Sequence, residues 1–231
     1  MSGQLQGKRI LVTGAAGGLG KVTVRALLRE GAIVTGATRL WKKEDQEPGL
    51  ETIEADLSSP EGAAAVVKSV VRQHGGLDIV MHVVGSFSMD GSVASTRVET
   101  WDRMMDLNAR SAFLLFRAAL PVMLDARRGR LLAVGSRAGL EASPGMTAYA
   151  VSKAALHALV VNLAAEIRDT GITVNAVVPG IIDTPANRAA MPGEDFSRWV
   201  LPEAIAGTLV WLASDASSET SGALIPIYGR S

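Results

Sequence analysis

The stretch Ile10-Leu-Val-Thr-Gly-Ala-Ala-Gly-Gly-Leu-Gly20 decides the reading of this chain. A short apolar run ends at Thr13, small residues make a turn, and an amphipathic helical pattern begins at Leu19. A dinucleotide pyrophosphate needs that junction: glycines let the backbone come close, and the free N–H groups of a helix N-terminus face the negative charge. The plainer alternative is an ordinary strand-to-helix turn, and the rest of the chain discriminates between the two.

Outward from the turn, apolar segments rich in Val, Ile and Leu recur at 10–12, 33–37, 52–55, 79–84, 131–134, 173–178 and Leu224–Ile227, and read as buried strands. Stretches with helical spacing lie between them, at 19–30, 61–74, Val98–Ala126, 148–169 and 202–214. Each crossover must return the chain to the same edge, which a right-handed helical connection does best. The alternation therefore predicts an α/β fold: one domain over 1–231, with a doubly wound parallel sheet of about seven strands and helices on both faces. No linker or low-complexity tract divides it.

Composition narrows the function. The 231 residues are 48% hydrophobic and 20% charged with 24 glycines, the make-up of a compact, turn-rich protein. Lys and Arg total 23 against 23 Asp and Glu, so no basic field attracts nucleic acid. There is no Cys, which excludes disulfides, thiolate metal sites, iron–sulfur clusters and a Cys nucleophile. Without an HxH or HExxH pair, metal binding has no support either. The polar start Met1-Ser-Gly-Gln-Leu-Gln-Gly-Lys-Arg9 lacks a signal-peptide core, and no uninterrupted apolar run approaches the ~20 residues of a bilayer span. The expectation is a soluble cytoplasmic protein with no membrane or nucleic-acid partner.

Chemistry gathers further along. Tyr149-Ala-Val-Ser-Lys153 puts a phenol and an ammonium four residues apart on one face at the start of a long helix. A neighbouring positive charge favours the phenolate, so the Tyr149 pKa is expected to fall from ~10. Ser136 ends the fifth strand thirteen positions earlier, and Asn108 lies in the preceding helix. Gly14, Gly18 and Gly20 are spaced TGxxxGxG, not GxGxxG. Together these residues and intervals resemble the short-chain dehydrogenase/reductase family over nearly the whole chain, and that resemblance implies a Rossmann-type sheet and an NAD(P)-dependent oxidoreductase acting on a small-molecule substrate. In the implied roles Tyr149 gives a proton to a carbonyl oxygen while hydride arrives on carbon, and Ser136 holds that oxygen. Lys153 would bind the nicotinamide ribose and tune Tyr149, and Asn108 would hold a water linking Lys153 to solvent. The alternatives are a mid-helix amide bonded to local backbone for Asn108, a strand-end hydroxyl for Ser136 and an exposed helix charge for Lys153.

The resemblance also implies coenzyme contacts at Gly14, Gly17, Gly18, Leu19 and Gly20, at Asp56 and Leu57 beyond the third strand, and at Gly85 after the fourth. Tyr149, Lys153, Pro179, Gly180, Ile182 and Thr184 complete the set on the nicotinamide side. Asp56 reads equally as part of a helix cap near Ser58 and Ser59. The second strand should end beside the adenosine ribose, where an acidic residue selects NAD. Here Thr38 and Arg39 stand instead, and a guanidinium suits a 2′-phosphate, so NADP is expected ahead of NAD. The alternative for Arg39 is an exposed strand-end charge. Lys42 and Lys43 run into Glu44, Asp45 and Glu47 and read as a solvated loop.

Departures from the family pattern are informative. Where the family carries Asn-Asn-Ala-Gly, this chain has His82-Val83-Val84-Gly85. His82 reads as a hydrogen-bonded core residue, with a general acid as the alternative; His74 reads as a helix-end residue and His157 falls on the helix of Tyr149. Gly145-Met146, Tyr149, Lys153, Ala155 and His157, with 183–188 and 191–199, resemble the dihydropteridine reductases, although Ser136 and Thr38-Arg39 depart from them. That likeness implies a substrate lid at 181–201 with a short helix inside 186–191, and pterin reduction as an alternative to carbonyl reduction. A non-catalytic NADP-binding sensor or scaffold is a third reading. Phe196 and Trp199 are lid residues or core anchors. Family resemblance further implies a homotetramer or homodimer built through Val98–Ala126 and 148–169, with Ala154, Ala155, Leu156, Leu159, Val160 and Leu163 as packing material, unless these only cover the sheet. Arg127, Arg128 and Arg130 read as a solvated basic turn.

Overall fold

The computed structural model describes residues 3–230. Its strands are β1 (Arg9–Thr13), β2 (Ile33–Thr38), β3 (Leu50–Glu54), β4 (Ile79–His82), β5 (Gly129–Val134), β6 (Ile172–Pro179) and β7 (Leu224–Ile227). They form one parallel sheet in the order β3-β2-β1-β4-β5-β6-β7. The helices are α1 (Gly18–Arg29), α2 (Pro60–His74), α3 (Val98–Met105), α4 (Ser111–Ala126), α5 (Thr147–Glu166), α6 (Pro185–Ala190) and α7 (Pro202–Ala213). The expected Rossmann-type architecture is thus present, and each expected strand is found within a few residues of its predicted bounds.

Side chains alternate across a strand, so the continuous apolar runs serve two faces at once. Leu11, Val80, Leu131 and Val174 point to one layer and pack with α2, α4 and α5. Ile10, Val12, Met81, Leu132 and Val177 point to the other, against α1 and α7. Strand order reverses at β1, which lies between β2 and β4. Ligands of open α/β sheets bind beyond the strand ends at such a switch point. Arg9 fastens the far end of the same pair, donating from Nε and Nη2 to Asp78 at 2.7 and 2.8 Å.

The helix expected over Val98–Ala126 is interrupted. Residues Asp106–Arg110 form a π-helical turn between α3 and α4, which inserts one extra residue without breaking the apolar periodicity that suggested a single helix. Likewise β4 stops at His82: Val83 and Val84 still alternate between the two layers, but the pairing with β1 ends there, with Val83 N–H to Thr13 O (3.1 Å) as its last bond. His74 ends α2 as expected, with Nε2 3.1 Å from Thr35 Oγ1.

Two surface readings are corrected. Asp45 is buried and paired with Lys21 Nζ at 2.6 Å, and Glu47 pairs with Arg25, so the charged run after Lys42 is pinned to α1. Arg130 is largely covered, its Nη1 reaching Thr173 and Ser217 at 3.4 Å, while Arg127 caps α4 in the left-handed conformation at φ 51°. On α5, Leu156, Val160 and Leu163 are spent in the sheet core, whereas Ala154 is exposed. Val98–Ala126 and Thr147–Glu166 are long and apolar enough to cross a membrane by length and composition, yet 44% of each apolar window is buried within the fold.

The glycine turn depends on close approach. Gly14 takes φ +71°, and a Cβ there would stand 2.9 Å from Val84 N; one on Gly20 would stand 2.1 Å from Gly14 O. Gly20→Ala must therefore push α1 off β1, and is expected to cost about 1–3 kcal/mol in denaturant unfolding. A variant with wild-type stability would show that α1 does not pack as described.

Candidate functional site

The residues singled out from the sequence collect at the C-terminal edge of the sheet. Helix α1 opens directly after β1, and its first N–H groups have no acceptor within the helix. Gly17 is its N-cap and donates to Gly14 O at 3.0 Å, while Gly14 N–H is taken by Ala37 O at the end of β2 (2.9 Å). Gly18 and Leu19 lie in the first turn, and a side chain on Gly18 would meet the Thr184 methyl at 3.1 Å. This is a narrow cradle lined by main chain, suited to an anion.

Thr38 closes β2 and Arg39 is exposed just beyond it. Asp56 accepts from Ser58 N–H (3.0 Å) and Ser58 Oγ (2.9 Å), and these bonds, with Arg39's charge as a lesser contribution, hold its carboxyl below the usual range. Ser59, not Asp56, caps α2, accepting from Gly62 N–H at 3.1 Å. Leu57 is buried in the α2 layer.

Around Tyr149 four elements converge. Ser136 follows β5 and caps a 3-10 turn, its Oγ accepting from Ala138 N–H (3.3 Å) and its own N–H donated to His157 Nε2 (3.3 Å). Gly135 must be glycine here, because a Cβ would fall 2.2 Å from His157 Nε2. Tyr149 and Lys153 share the first turns of α5, which sets the Tyr149 phenol beside Ser136. Asn108 is fully buried (0% exposed) in the π-turn: Oδ1 accepts from Ser86 N–H (2.8 Å), and Nδ2 donates to Ser86 O and Ser152 Oγ (both 2.9 Å). Its bonds are long-range, so the local-backbone alternative does not hold. A Cβ on Gly85 would lie 3.1 Å from both Asn108 Oδ1 and Lys153 Nζ, so the two polar atoms flank one small space that only glycine leaves open.

One electrostatic expectation is overturned. Burial pushes the Tyr149 phenol above its ordinary value, opposed only by the hydrogen bond from Ser136. The Lys153 ammonium, 4% exposed, donates to Val134 O at 2.9 Å and stands 6.0 Å from the Tyr149 ring centre, and desolvation pulls its own pKa down to about 8. The phenol is therefore held as the protonated form, a hydroxyl able to give a proton to a neighbouring oxygen acceptor.

Beyond β6, which ends at Pro179, Gly180 N–H binds Ile227 O (3.0 Å) and Ile182 bridges to Val200. Thr184 caps α6, accepting from Asn187 N–H at 3.2 Å, so the short helix expected in 186–191 is present, and Asp183 grips Arg188 with both oxygens. Trp199 is a buried anchor stacked at 4.7 Å on half-buried Phe196. A cavity of about 500 Å³ is lined by Asp183, Arg188, Phe196, Arg198, Trp199 and Arg230, and by none of Ser136, Tyr149 or Lys153.

Sequence reasoning missed three neighbours. Ser152 relays Asn108 to α5 by donating to Tyr149 O at 2.7 Å; its place beside Lys153 in the helix was the available signal. Phe87, 53% exposed, sets its ring edge-on to Tyr149 at 5.1 Å, and nothing in its local sequence marks it. His157 supports Ser136 through the main chain, which no spacing reveals.

Known proteins resemble the chain over nearly its whole length. Residues 8–195 match the family model described as short chain dehydrogenase. The chain is 31% identical to 3-oxoacyl-[acyl-carrier-protein] reductase FabG of Thermotoga maritima over 242 residues, covering 98% of each. It is 34% identical to the protein of that name from Pseudomonas aeruginosa, covering 97% of each. The crystal structure of gox2181 superposes with a TM-score of 0.91 at 28% identity, over 97% of this chain and 95% of that one.

Both site histidines are held neutral by burial, with Lys153's charge adding to the effect: His82 falls to about 3 and His157 to about 4. In the unfolded chain each takes up a proton near 6.5, so the stability they confer is complete above that pH and is lost as pH falls from there through 4 and 3. Thermal unfolding should show Tm dropping through this acid window, and imidazole NMR signals of His82 and His157 should not move at pH 6–7. Titration of either ring near neutrality would contradict their burial.

Proposed function

Since the chain belongs to the short-chain dehydrogenase/reductase family, we propose that it is an NADPH-dependent reductase that converts a carbonyl group of a small molecule to an alcohol, with Tyr149 as proton donor. The observation that carries this reading is the convergence of Ser136, Tyr149 and Lys153, with the phenol kept protonated, at the switch-point edge of the sheet. The names of the Thermotoga and Pseudomonas relatives, reductases of an oxoacyl group, support a carbonyl as the reacting function.

The glycine cradle fits a dinucleotide: a Cβ would obstruct it at Gly14, Gly18 or Gly20, and the first N–H groups of α1 face outward from it. Gly14, Gly17, Gly18, Leu19 and Gly20 would hold the pyrophosphate, and Asp56 with the main chain of Leu57 the adenine. Thr38 and Arg39 would receive the 2′-phosphate. Gly85, Pro179, Gly180, Ile182 and Thr184 would border the nicotinamide. The coenzyme supplies a hydride to the carbonyl carbon. Tyr149 gives its phenolic proton to the oxygen that becomes alkoxide, Ser136 orients that oxygen, and Lys153 holds the nicotinamide ribose through its donor groups. Asn108 holds a water in the space beside Gly85, so that Lys153 and then Tyr149 recover a proton from solvent.

In this reading residues 1–231 act as one coenzyme-binding and catalytic domain, with 181–201 as the segment over the substrate. The protein works in the cytoplasm, away from membranes, and without nucleic acid as a partner, the last of which the absence of net charge supports. It assembles as a homotetramer or homodimer through α4 and α5, where Phe113, Leu124, Val151 and Val161 leave apolar side chains exposed.

Tyr149→Phe is expected to lower kcat for carbonyl reduction by about 10²–10⁴-fold while NADPH affinity, read by coenzyme fluorescence, is retained; near-normal turnover would remove Tyr149 from the role. Arg39→Asp should shift the ratio of kcat/KM values from NADPH toward NADH, and an unchanged ratio would free Arg39 of the 2′-phosphate.

A further inference from the structure

At the end of β4, where the family pattern carries an amide, His82 is 1% exposed and hydrogen-bonded on both sides of its ring. Nδ1 lies 3.0 Å from Thr13 Oγ1 and Nε2 lies 3.1 Å from Ser111 Oγ. Ser111 Oγ also donates to Leu107 O at 2.8 Å. A hydroxyl has one hydrogen to give. Ser111 spends its hydrogen on Leu107, so it accepts from His82, and the ring proton sits on Nε2. Nδ1 is then the bare acceptor, and Thr13 donates to it. The result is a directed chain, Thr13 to His82 to Ser111 to Leu107 O, that begins one residue before Gly14 and ends one residue before Asn108.

This path spans two features that no single element joins. A π-turn is less favourable than regular helix and persists where something holds it. Here Ser111 captures Leu107 O inside the Asp106–Arg110 turn, and His82 holds Ser111 against the sheet. Phe116 packs edge-to-face with His82, their ring centres 6.4 Å apart, and covers the apolar side. If the turn relaxed to α-helix, Asn108 would rotate away from Ser86 and Ser152. A leucine could fill the same volume in the sheet; only a group with one donor and one acceptor completes the chain.

We propose that His82 is a positioning residue: tied to β1 through Thr13 and to the π-turn through Ser111, it locks the turn that holds Asn108 against Ser86 and Ser152. This rests on the role given to Asn108 in the proposed reaction, and the neutral ring is what the chain of donors requires. The expected consequence is a loss of rate at nearly constant substrate affinity, because Asn108 binds no part of the carbonyl compound.

The test uses His82→Phe, His82→Gln and Ser111→Ala in the full chain. His82→Phe and Ser111→Ala should lower kcat per folded molecule by about 10–100-fold, with KM for the carbonyl and affinity for NADPH little changed. His82→Gln, which keeps a donor and an acceptor, should recover much of the loss. The Phe and Ala effects should be non-additive in the double variant, since each cuts the same chain. Hydrogen exchange at residues 106–110 and at the Ser86 amide should quicken in both. If His82→Phe does not fold, Ser111→Ala alone carries the test. Wild-type exchange at 106–110, or kcat per folded molecule unaltered, overturns the proposal. Should Tyr149→Phe keep full turnover, the reaction reading itself has failed, and quickened exchange in Ser111→Ala still identifies the tie.

Discussion

The molecule commits an ammonium group to a nearly waterless position. Lys153 is enclosed under the C-terminal edge of the sheet with Val134 O as its hydrogen-bond acceptor, and its pKa is depressed from 10.5 to about 8. Keeping it charged at neutral pH therefore opposes folding on the order of 3 kcal/mol, a penalty present below pH 8 and gone above 10.5. A stability-driven core would replace such a group with a hydrocarbon. Its retention, inside a ring of satisfied polar groups formed by Asn108, Ser152, Ser136 and Tyr149, makes sense for chemistry at this spot. The neighbouring histidines follow from the same field: with desolvation and the cation both acting against protonation, they serve as neutral hydrogen-bonding spacers.

Around that group the fold acts as a frame of close main-chain contacts. Gly14, Gly20, Gly85 and Gly135 are each places where a methyl would collide with backbone, an amide, an ammonium or an imidazole. The strands supply the ends, the loops carry the polar groups, and the glycines set how near they come. Thr184 rests against Gly18, so that α6 starts in contact with the glycine turn at the head of α1.

Much of this was legible in the residues. Strands buried on both faces announce themselves as unbroken Val, Ile and Leu runs, and the order of strand and helix leaves few topologies. Helix periodicity put Tyr149 and Lys153 on one face, and the resemblance to the short-chain dehydrogenase/reductase family added Ser136 to them. What hid was whatever depends on distance through space. The π-turn keeps the apolar stripe intact, so Val98–Ala126 looked continuous. Asp45 and Arg130 looked like surface charges because their partners, Lys21 and Ser217, are remote in sequence. The influence of Lys153 on Tyr149 was misjudged for a related reason: spacing gives proximity, whereas the balance of cation and burial depends on where the ammonium points.

Burial raises the Tyr149 phenol above its ordinary value, so that at neutral pH it stands protonated and ready to act as an acid. The chain has two tyrosines, Tyr149 and Tyr228, so in a Tyr228→Phe background every phenolate signal belongs to the site. Ultraviolet titration of that variant should show ionisation above pH 10.0, the ordinary value for the group. A phenolate forming at pH 7–8 would contradict the claim.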